Sequence, residues 1–225
     1  KENLTDDQFA TYTDALVQLM NTFQSKGEPV ECISVLQEVF MSSPLLQDEF
    51  LRDFHSVMGY ALSRTEDMTK AEELTLKALT LPLHRATPER YFRDYAYAAA
   101  VFYSNPEYQD EVIEWCHEAL IQAKACRNTS GQQWVMSMLG NLYKRNGDLN
   151  GALELYQQSL DDSRSRGDEL GVLNSLSSFT DLFLYWDIPE YADMYASEAV
   201  KVERGMKQKN PMVSAQTYIN KVRAL

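Results

Sequence analysis

The stretch LGNLYKRNGDLNGALELYQQSL, residues 139–160, predicts two amphipathic helices joined by a tight turn. The Asn-Gly-Asp sequence at 146–148 forms that turn, because glycine stops a helix by adopting a positive φ. Small residues at Ala152 and Ser159 let the second helix approach the first closely, and larger side chains such as Tyr156 fill the space between them. The stretch therefore predicts a helical hairpin.

The same pattern recurs along the chain at nearly equal intervals. The position that anchors the second helix is occupied in turn by Cys32, Ala71, Val112, Ala152 and Ala192. Successive anchors are roughly 40 residues apart, and a period of that length is typical of stacked helical repeats. Cys32 and Cys116 fall on the buried face of their helices in this register.

We therefore predict an all-α protein, a right-handed α-solenoid of about five helical hairpins that form a single domain over residues 1–225. The predicted hairpins cover approximately residues 5–42, 45–82, 88–128, 131–166 and 168–208. A terminal helix is expected over residues 211–225, because Asn210 can cap it and Pro211 suits its first position. This helix either caps the stack or begins a sixth hairpin, and we favour the second interpretation.

Composition narrows the possible partners. Only 9 glycines and 7 prolines occur in 225 residues, which favours helices, and the net charge of −12 disfavours nucleic acid and anionic lipid as partners. No apolar run approaches the roughly 18 residues of a membrane span, so we expect no membrane insertion in this segment. The chain begins at Lys1 without a signal core, and we expect both a removed targeting segment and a longer parent protein.

Motifs for catalysis are missing from the sequence. Neither GxxxxGK[ST] nor GxGxxG occurs, so a phosphate-binding loop is unsupported. His55, His84 and His117 are scattered, without a carboxylate partner at helical spacing, and the three cysteines show no metal-binding spacing. We predict no catalytic residue, no metal and no cofactor, and an all-helical enzyme is the least favoured class.

Residues Leu139, Gly140, Tyr143, Ala152 and Tyr156 resemble the consensus of the tetratricopeptide repeat (TPR) family. The repeat is longer than the usual one of that family, so it resembles a long-period variant. The resemblance implies a non-catalytic module that binds a protein or peptide. The sequence NGDLNGALELYQQSLDDSRSRGDELGVLNSL is also similar to sensor regions of bacterial histidine kinases.

In such a stack the first helix of each hairpin lines the concave surface, where a partner would bind. The predicted partner-binding residues on this surface are Asn21, Tyr60, Tyr97, Trp134, Asn141, Lys144, Arg145, Asp181 and Tyr185. Asp53 and Asp94 are expected on the same face. The resemblance implies a Lys/Asn clamp for a peptide carboxylate, which only Asn141 with Lys144 and Arg145 matches. Alternatively, the aromatic residues among them pack between neighbouring hairpins.

Two functional hypotheses follow. In the favoured one, the chain is the interaction or sensor part of a larger signalling protein, the extracytoplasmic (periplasmic) sensor of a bacterial two-component kinase or regulator. In the alternative, it is a cytoplasmic scaffold or a regulator controlled by a peptide. A homodimer through the ends of the solenoid is compatible with either, because a terminal helix exposes apolar surface.

Overall fold

The computed structural model describes residues 5–26, 29–42, 44–65, 67–207 and 211–225, and helices dominate this part of the chain. No β-strand occurs among the described residues, and a short 3-10 turn, Pro106–Tyr108, precedes the sixth α-helix. The α-helices α1 to α11 are Asp6–Lys26, Pro29–Met41, Pro44–Leu62, Met68–Thr80, Pro88–Phe102, Gln109–Ala125, Thr129–Arg145, Leu149–Arg166, Glu169–Tyr185, Pro189–Gly205 and Pro211–Arg223.

Successive helices pack as pairs. The closest packing joins α3 with α4, α5 with α6, α7 with α8, and α9 with α10. Each of these pairs is connected by a short turn, so each is a helical hairpin. The predicted all-α fold of stacked hairpins is therefore confirmed.

The chain divides into two compact units. Unit 1 comprises residues 1–127 and contains α1 to α6, and unit 2 comprises residues 128–225 and contains α7 to α11. The continuous single domain and its five hairpin boundaries stay a prediction from the sequence.

The first three helices of unit 2 begin at evenly spaced caps. Asn128, Asp148 and Asp168 precede α7, α8 and α9, and the side chain of each accepts a hydrogen bond from the backbone N–H three residues later, at 2.9–3.0 Å. Such caps satisfy backbone donors that a helix leaves unpaired in its first turn. The regular spacing sets the start of each helix and therefore the register of the repeat.

The turns before these caps use a left-handed residue. Gly147 and Gly167 have φ angles of +80° and +66°, which glycine adopts without steric cost. Asp187 takes the same position before α10, with a φ of +57°. Aspartate tolerates this conformation better than most residues because its short polar side chain can bond locally.

Aromatic rings and small residues form the core of unit 2. Phe179 of α9 is fully buried, and its ring stacks on Tyr195 of α10 with centroids 4.5 Å apart. Ala192, Ala196 and Ala199 are also buried on α10. Small side chains at these positions bring α10 close to α9, so that the aromatic rings fill the remaining space.

Helix α11 leaves an apolar face uncovered. Ile219 and Val222 lie one repeat after Phe179 and Leu182, which are fully buried, yet they are 52% and 72% exposed. The reason is that α10 covers α9, whereas no helix of the described chain covers this face of α11. The sequence alternatives for this helix, a cap or the start of a sixth hairpin, both stay predictions.

Unit 1 also has an aromatic and aliphatic core. The ring of Phe9 on α1 stacks on Phe50 of α3, with centroids 4.3 Å apart, and Leu36, Val57 and Met58 form a second buried cluster. Cys116 is buried as predicted, and burial raises the pKa of its thiol to about 12. The thiol therefore stays protonated and acts as a small apolar side chain. The side chain of Cys32 lies outside the described residues.

Candidate functional site

Unit 2 contains a polar groove of about 570 Å³, formed by α7 and α9 with a base supplied by α8. Most of the side chains that line it are amides, hydroxyls or carboxylates. The lining residues are Ser130, Gln133, Trp134, Ser137, Asn141, Tyr156, Ser159, Asp168, Leu170, Gly171, Asn174, Ser175, Ser177, Ser178 and Asp181. We call this site the unit 2 groove.

Three of the predicted partner-binding residues line the unit 2 groove: Trp134, Asn141 and Asp181. Lys144 and Tyr185 line a second recess of about 430 Å³, which also contains Asp181 and is bordered by Arg223. We call it the Lys144 recess. The structure thus brings five predicted residues together in unit 2, whereas Arg145 is exposed and lines neither site.

Asn141 is held by a residue that the sequence analysis did not select. The hydroxyl of Tyr156, a buried residue of α8, donates a hydrogen bond of 2.9 Å to Oδ1 of Asn141. This contact occupies the amide oxygen and leaves the two Nδ2 hydrogens for another acceptor. Asn141 therefore presents hydrogen-bond donors at the centre of the groove.

Two residues of α11 contact side chains that line the unit 2 groove. Arg223 pairs with Asp181 at 2.8 Å, and Asn220 donates to the hydroxyl of Ser177. Neither Arg223 nor Asn220 was predicted as a site residue. The repeat could have indicated both residues, because Arg223 follows Asp181 by about one repeat and Asn220 follows Ser177 by about one repeat.

In the Lys144 recess, the ammonium of Lys144 lies 5.9 Å from the centroid of the Tyr185 ring, within the range of a cation–π contact. Tyr185 is exposed, at 59%. Because Asp181 is already paired with Arg223, the charge of Lys144 remains for an anionic group on a ligand.

The predicted aromatic residues of unit 1 contact each other. The rings of Tyr60 on α3 and Tyr97 on α5 are nearly parallel, with centroids 4.3 Å apart, and both residues are half-buried. Burial raises the pKa of Tyr60, although Arg64 opposes the shift. This is the packing between neighbouring hairpins that the sequence allowed as an alternative, and a role in partner binding stays a prediction.

The side chain of Asn21, the remaining predicted site residue, belongs to α1 but lies outside the described part of the structure. Its role stays a prediction.

Asp53 and Asp94, which the sequence placed on the partner-binding face, are buried, so that expectation is wrong. They are 0% and 1% exposed. Asp53 accepts hydrogen bonds from Arg90, including one of 2.9 Å from Nε, and from Arg93. Arginine pairs satisfy both carboxylate oxygens of Asp53, so it is a structural residue of unit 1.

The same buried cluster extends through Asp94. Its carboxylate accepts a hydrogen bond of 2.6 Å from Nε of Arg52 and lies 3.4 Å from Arg93. Arg52 also donates to the carbonyl of Leu81 at 2.8 Å. We call Arg52, Asp53, Arg90, Arg93 and Asp94 the ion cluster. A signal for it was present in the sequence, because the dipeptide Arg-Asp occurs at 52–53 and again at 93–94, one repeat apart.

We expect the ion cluster to make the protein less stable in acid. Burial alone raises the pKa of Asp53, but Arg93 and Arg90 outweigh it and hold the pKa below its ordinary value of 3.8. Because the folded pKa is the lower one, this contribution is complete above pH 3.8 and is lost as the pH falls from there through the folded pKa. We expect the free energy of unfolding, measured with urea, to fall in that range. If the free energy of unfolding of Asp53→Asn fell as steeply with decreasing pH, Asp53 would not be the group responsible.

Among residues 5–26, 29–42, 44–65, 67–207 and 211–225, no group of three or more His, Cys, Asp or Glu side chains is arranged to hold a metal ion. Within the same described ranges, no helix is both long enough and apolar enough to cross a membrane.

Comparison with protein-family models gives no match, and no curated protein matches the sequence. Solved structures do match. The chain is similar to BtubC (BKLC) from P. vanneervenii, at a TM-score of 0.65 and 17% identity, over 93% of this chain and 83% of that one. It is also similar to the nearly identical TPR-like repeats of a putative kinesin light chain from Podosopora anserina, at a TM-score of 0.66 and 14% identity, over 84% of this chain and 93% of that one. The chain therefore has a TPR-like helical-repeat fold.

Proposed function

We propose that this protein is a non-catalytic interaction module that binds a peptide segment of a partner protein in the unit 2 groove. The observation that carries the proposal is the groove itself, in which Trp134 lies beside a row of amides and hydroxyls on α7 and α9. Extended peptides are commonly bound through hydrogen bonds to their main chain together with a pocket for selected side chains. The TPR-like fold supports the proposal, because helical repeats create extended binding surfaces.

Trp134 is the proposed anchor of the interaction. A large aromatic side chain contributes more contact area than its neighbours, and tryptophan is enriched among residues that dominate binding energies. Asn141, oriented by Tyr156, supplies donors for carbonyl oxygens of the peptide. The Lys144 recess next to it suits a carboxylate of the same ligand, which agrees with the clamp that the family resemblance implies.

The larger role that we propose is the sensor or interaction part of a signalling protein, most specifically the extracytoplasmic sensor of a bacterial two-component kinase or regulator. The support is a resemblance to such sensor regions, which we infer from the sequence of residues 146–176. The alternative is a cytoplasmic scaffold or a peptide-controlled regulator, which the TPR-like fold fits equally well.

We further propose that a homodimer forms through the C-terminal end of the chain. Its support is the uncovered face of α11, where Ile219, Val222 and Leu225 are all more than half exposed. Sedimentation equilibrium of the wild type and of Val222→Glu tests it: a dimer that the charged side chain dissociates supports the proposal, and a wild-type monomer contradicts it.

We expect Trp134→Ala to weaken peptide binding by about 30-fold, which corresponds to roughly 2 kcal/mol for an aromatic anchor. The ligand would be selected from a library of N-acetylated, C-amidated hexapeptides and its affinity measured by fluorescence anisotropy. Tyr191→Ala is the matched control, because Tyr191 is an exposed aromatic residue of α10 that does not line the groove.

Circular dichroism must show that both variants keep their helices. Equal binding by wild type and folded Trp134→Ala would move the site away from the unit 2 groove and contradict the proposal. Tyr97→Ala, measured in the same series, reports whether the predicted aromatic residues of unit 1 take part.

A further inference from the structure

The charges that line the unit 2 groove are all of one sign. Of the described residues in its lining, two are charged, and both are acids: Asp168 and Asp181. Asp181 is paired with Arg223, whereas Asp168 makes no ion pair within the part of the chain that the structure describes. One end of the groove therefore carries a carboxylate that has no ion-pair partner among the described residues.

Asp168 has spare capacity to accept hydrogen bonds. Oδ1 accepts from the backbone N–H of Gly171 at 3.0 Å, and Oδ2 accepts from Nε2 of Gln133 at 2.9 Å. An ionised carboxylate has about four lone-pair sites, so each oxygen retains room for another donor.

The carboxamide of Gln133 is held in one orientation beside Asp168. Its Nε2 donates to Oγ of Ser163 at 2.7 Å as well as to Asp168, so both amide hydrogens are used. Ser163 is fully buried and donates in turn to the carbonyl of Ser159 at 2.7 Å. Only the carbonyl oxygen of Gln133 then remains for a ligand, and that oxygen is an acceptor.

Gly171 is required for this arrangement. A Cβ atom at position 171 would lie 2.2 Å from Nε2 of Gln133 and 2.5 Å from Oδ2 of Asp168. Any larger residue would therefore displace the amide from the carboxylate. The absence of a side chain at 171 keeps two acceptors, Oε1 of Gln133 and the carboxylate of Asp168, at the same end of the groove.

Trp134 follows Gln133 on α7 and lines the same groove. An indole is the aromatic side chain that attracts a cation most strongly, through the negative potential over its ring face. Acceptors, a carboxylate without an ion pair in the described part of the chain and an indole together suit a cationic group with N–H donors. The net charge of −12 adds a long-range attraction for cationic ligands.

We propose that Gln133, Trp134 and Asp168 form a subsite for a basic side chain, a lysine ammonium or an arginine guanidinium, of the peptide bound in the unit 2 groove. The inference rests on the proposed function, because it assigns part of the ligand of that same groove. Gln133 and Asp168 are the specificity-determining residues, and Ser163 and Gly171 position them.

The test uses the full chain and the hexapeptide library described above, whose blocked termini leave side chains as the source of positive charge. We expect the binders that Trp134→Ala loses to be enriched in Lys or Arg at one position. The best hexapeptide is then resynthesised with norleucine in place of that basic residue, which keeps the aliphatic chain and removes the charge. Wild type should prefer the basic peptide by at least about 10-fold.

Asp168→Asn is the decisive variant, because asparagine caps a helix as well as aspartate and the start of α9 is kept. We expect it to reduce the preference for the basic peptide to about 3-fold or less, with little change for the norleucine peptide. Gln133→Met, which removes the amide but keeps the length of the side chain, should do the same. Asp161→Asn is the matched control and should leave the preference unchanged, because Asp161 also accepts a hydrogen bond of 2.9 Å from a glutamine, Gln157, but does not line the groove.

The possible results separate the two proposals. Binders that depend on Trp134 but show no enrichment in basic residues would overturn the cation subsite and leave peptide binding intact. An undiminished preference in both Asp168→Asn and Gln133→Met would also overturn it. A library without any binder that depends on Trp134 would overturn the proposed function, and the subsite with it. If binders were obtained only from a second library, whose peptides have free N-termini, the subsite would belong to an α-ammonium group. That result would overturn the proposal of a basic side chain.

Discussion

Asp53→Ala is expected to lower the free energy of unfolding by about 3 to 5 kcal/mol, the cost of removing one partner from a buried ion pair. Asp53 is fully buried and is bonded to both Arg90 and Arg93, which are also buried. Without the carboxylate, Arg90 would lose its ion pair with Asp53 and Arg93 would keep only Asp94, at 3.4 Å, among the described residues, while both guanidiniums stay buried. Desolvated charges of this kind destabilise a fold more than the lost hydrogen bonds alone.

The measurement is equilibrium unfolding in urea at pH 7, with hydrogen exchange of α3 and α5 to locate the effect. Glu198→Ala is the control, because Glu198 also pairs with an arginine, Arg164, but both side chains are substantially exposed. Exposed pairs contribute about 0 to 1 kcal/mol, so this variant should be close to wild type. A change below about 1 kcal/mol in Asp53→Ala would show that the ion cluster is not a major source of stability.

Phe179→Ala is expected to lower the free energy of unfolding by about 3 to 5 kcal/mol, as for other large aromatic side chains removed from a core. Phe179 is fully buried between α8 and α10, with its ring against both Tyr156 and Tyr195. The truncation would leave a cavity between aromatic rings that cannot collapse without moving two helices. The loss therefore includes both the transfer of the ring to water and the cost of the cavity.

Met194→Ala is the matched control for this second variant. Met194 lies on α10 and is 49% exposed, so its truncation should change the free energy of unfolding by less than about 0.5 kcal/mol. Urea unfolding of both variants, followed by circular dichroism, provides the comparison. Equal effects of the two substitutions would contradict the described packing of α9 against its neighbours.

Part of the candidate site follows from the helical repeat. Asn141 and Asp181 could be assigned to one surface because they occupy equivalent positions on first helices, and Trp134 because it lies on the same surface nearer the N-terminus of its helix. The structure places all three around one groove. That they bind a partner stays a prediction. Tyr60 and Tyr97 were selected by the same reasoning. A helical register does not show whether two aromatic rings stack on each other, as these two do.

The residues that the sequence analysis missed act through contacts between helices. Gln133 matters because Ser163 and Asp168, which lie on or beside later helices of the chain, hold its amide. Asp53 and Asp94 were assigned to the partner-binding face by their position in the repeat, whereas the arginines that pair with them come from both α3 and α5. Such pairings depend on distances in space that periodicity does not contain.

The sequence by itself determined the helical class and the packing of successive helices as hairpins, because these follow from local rules: helix propensity, caps, turn residues and the alternation of small and large side chains with the helical period. Only the tertiary structure decided which polar residues face a groove, which are buried in the ion cluster, and which amide group is left for a ligand. The physical reason is that burial and hydrogen-bond satisfaction are set by neighbouring helices, so the same charged residue is a surface group or a core group according to what packs against it.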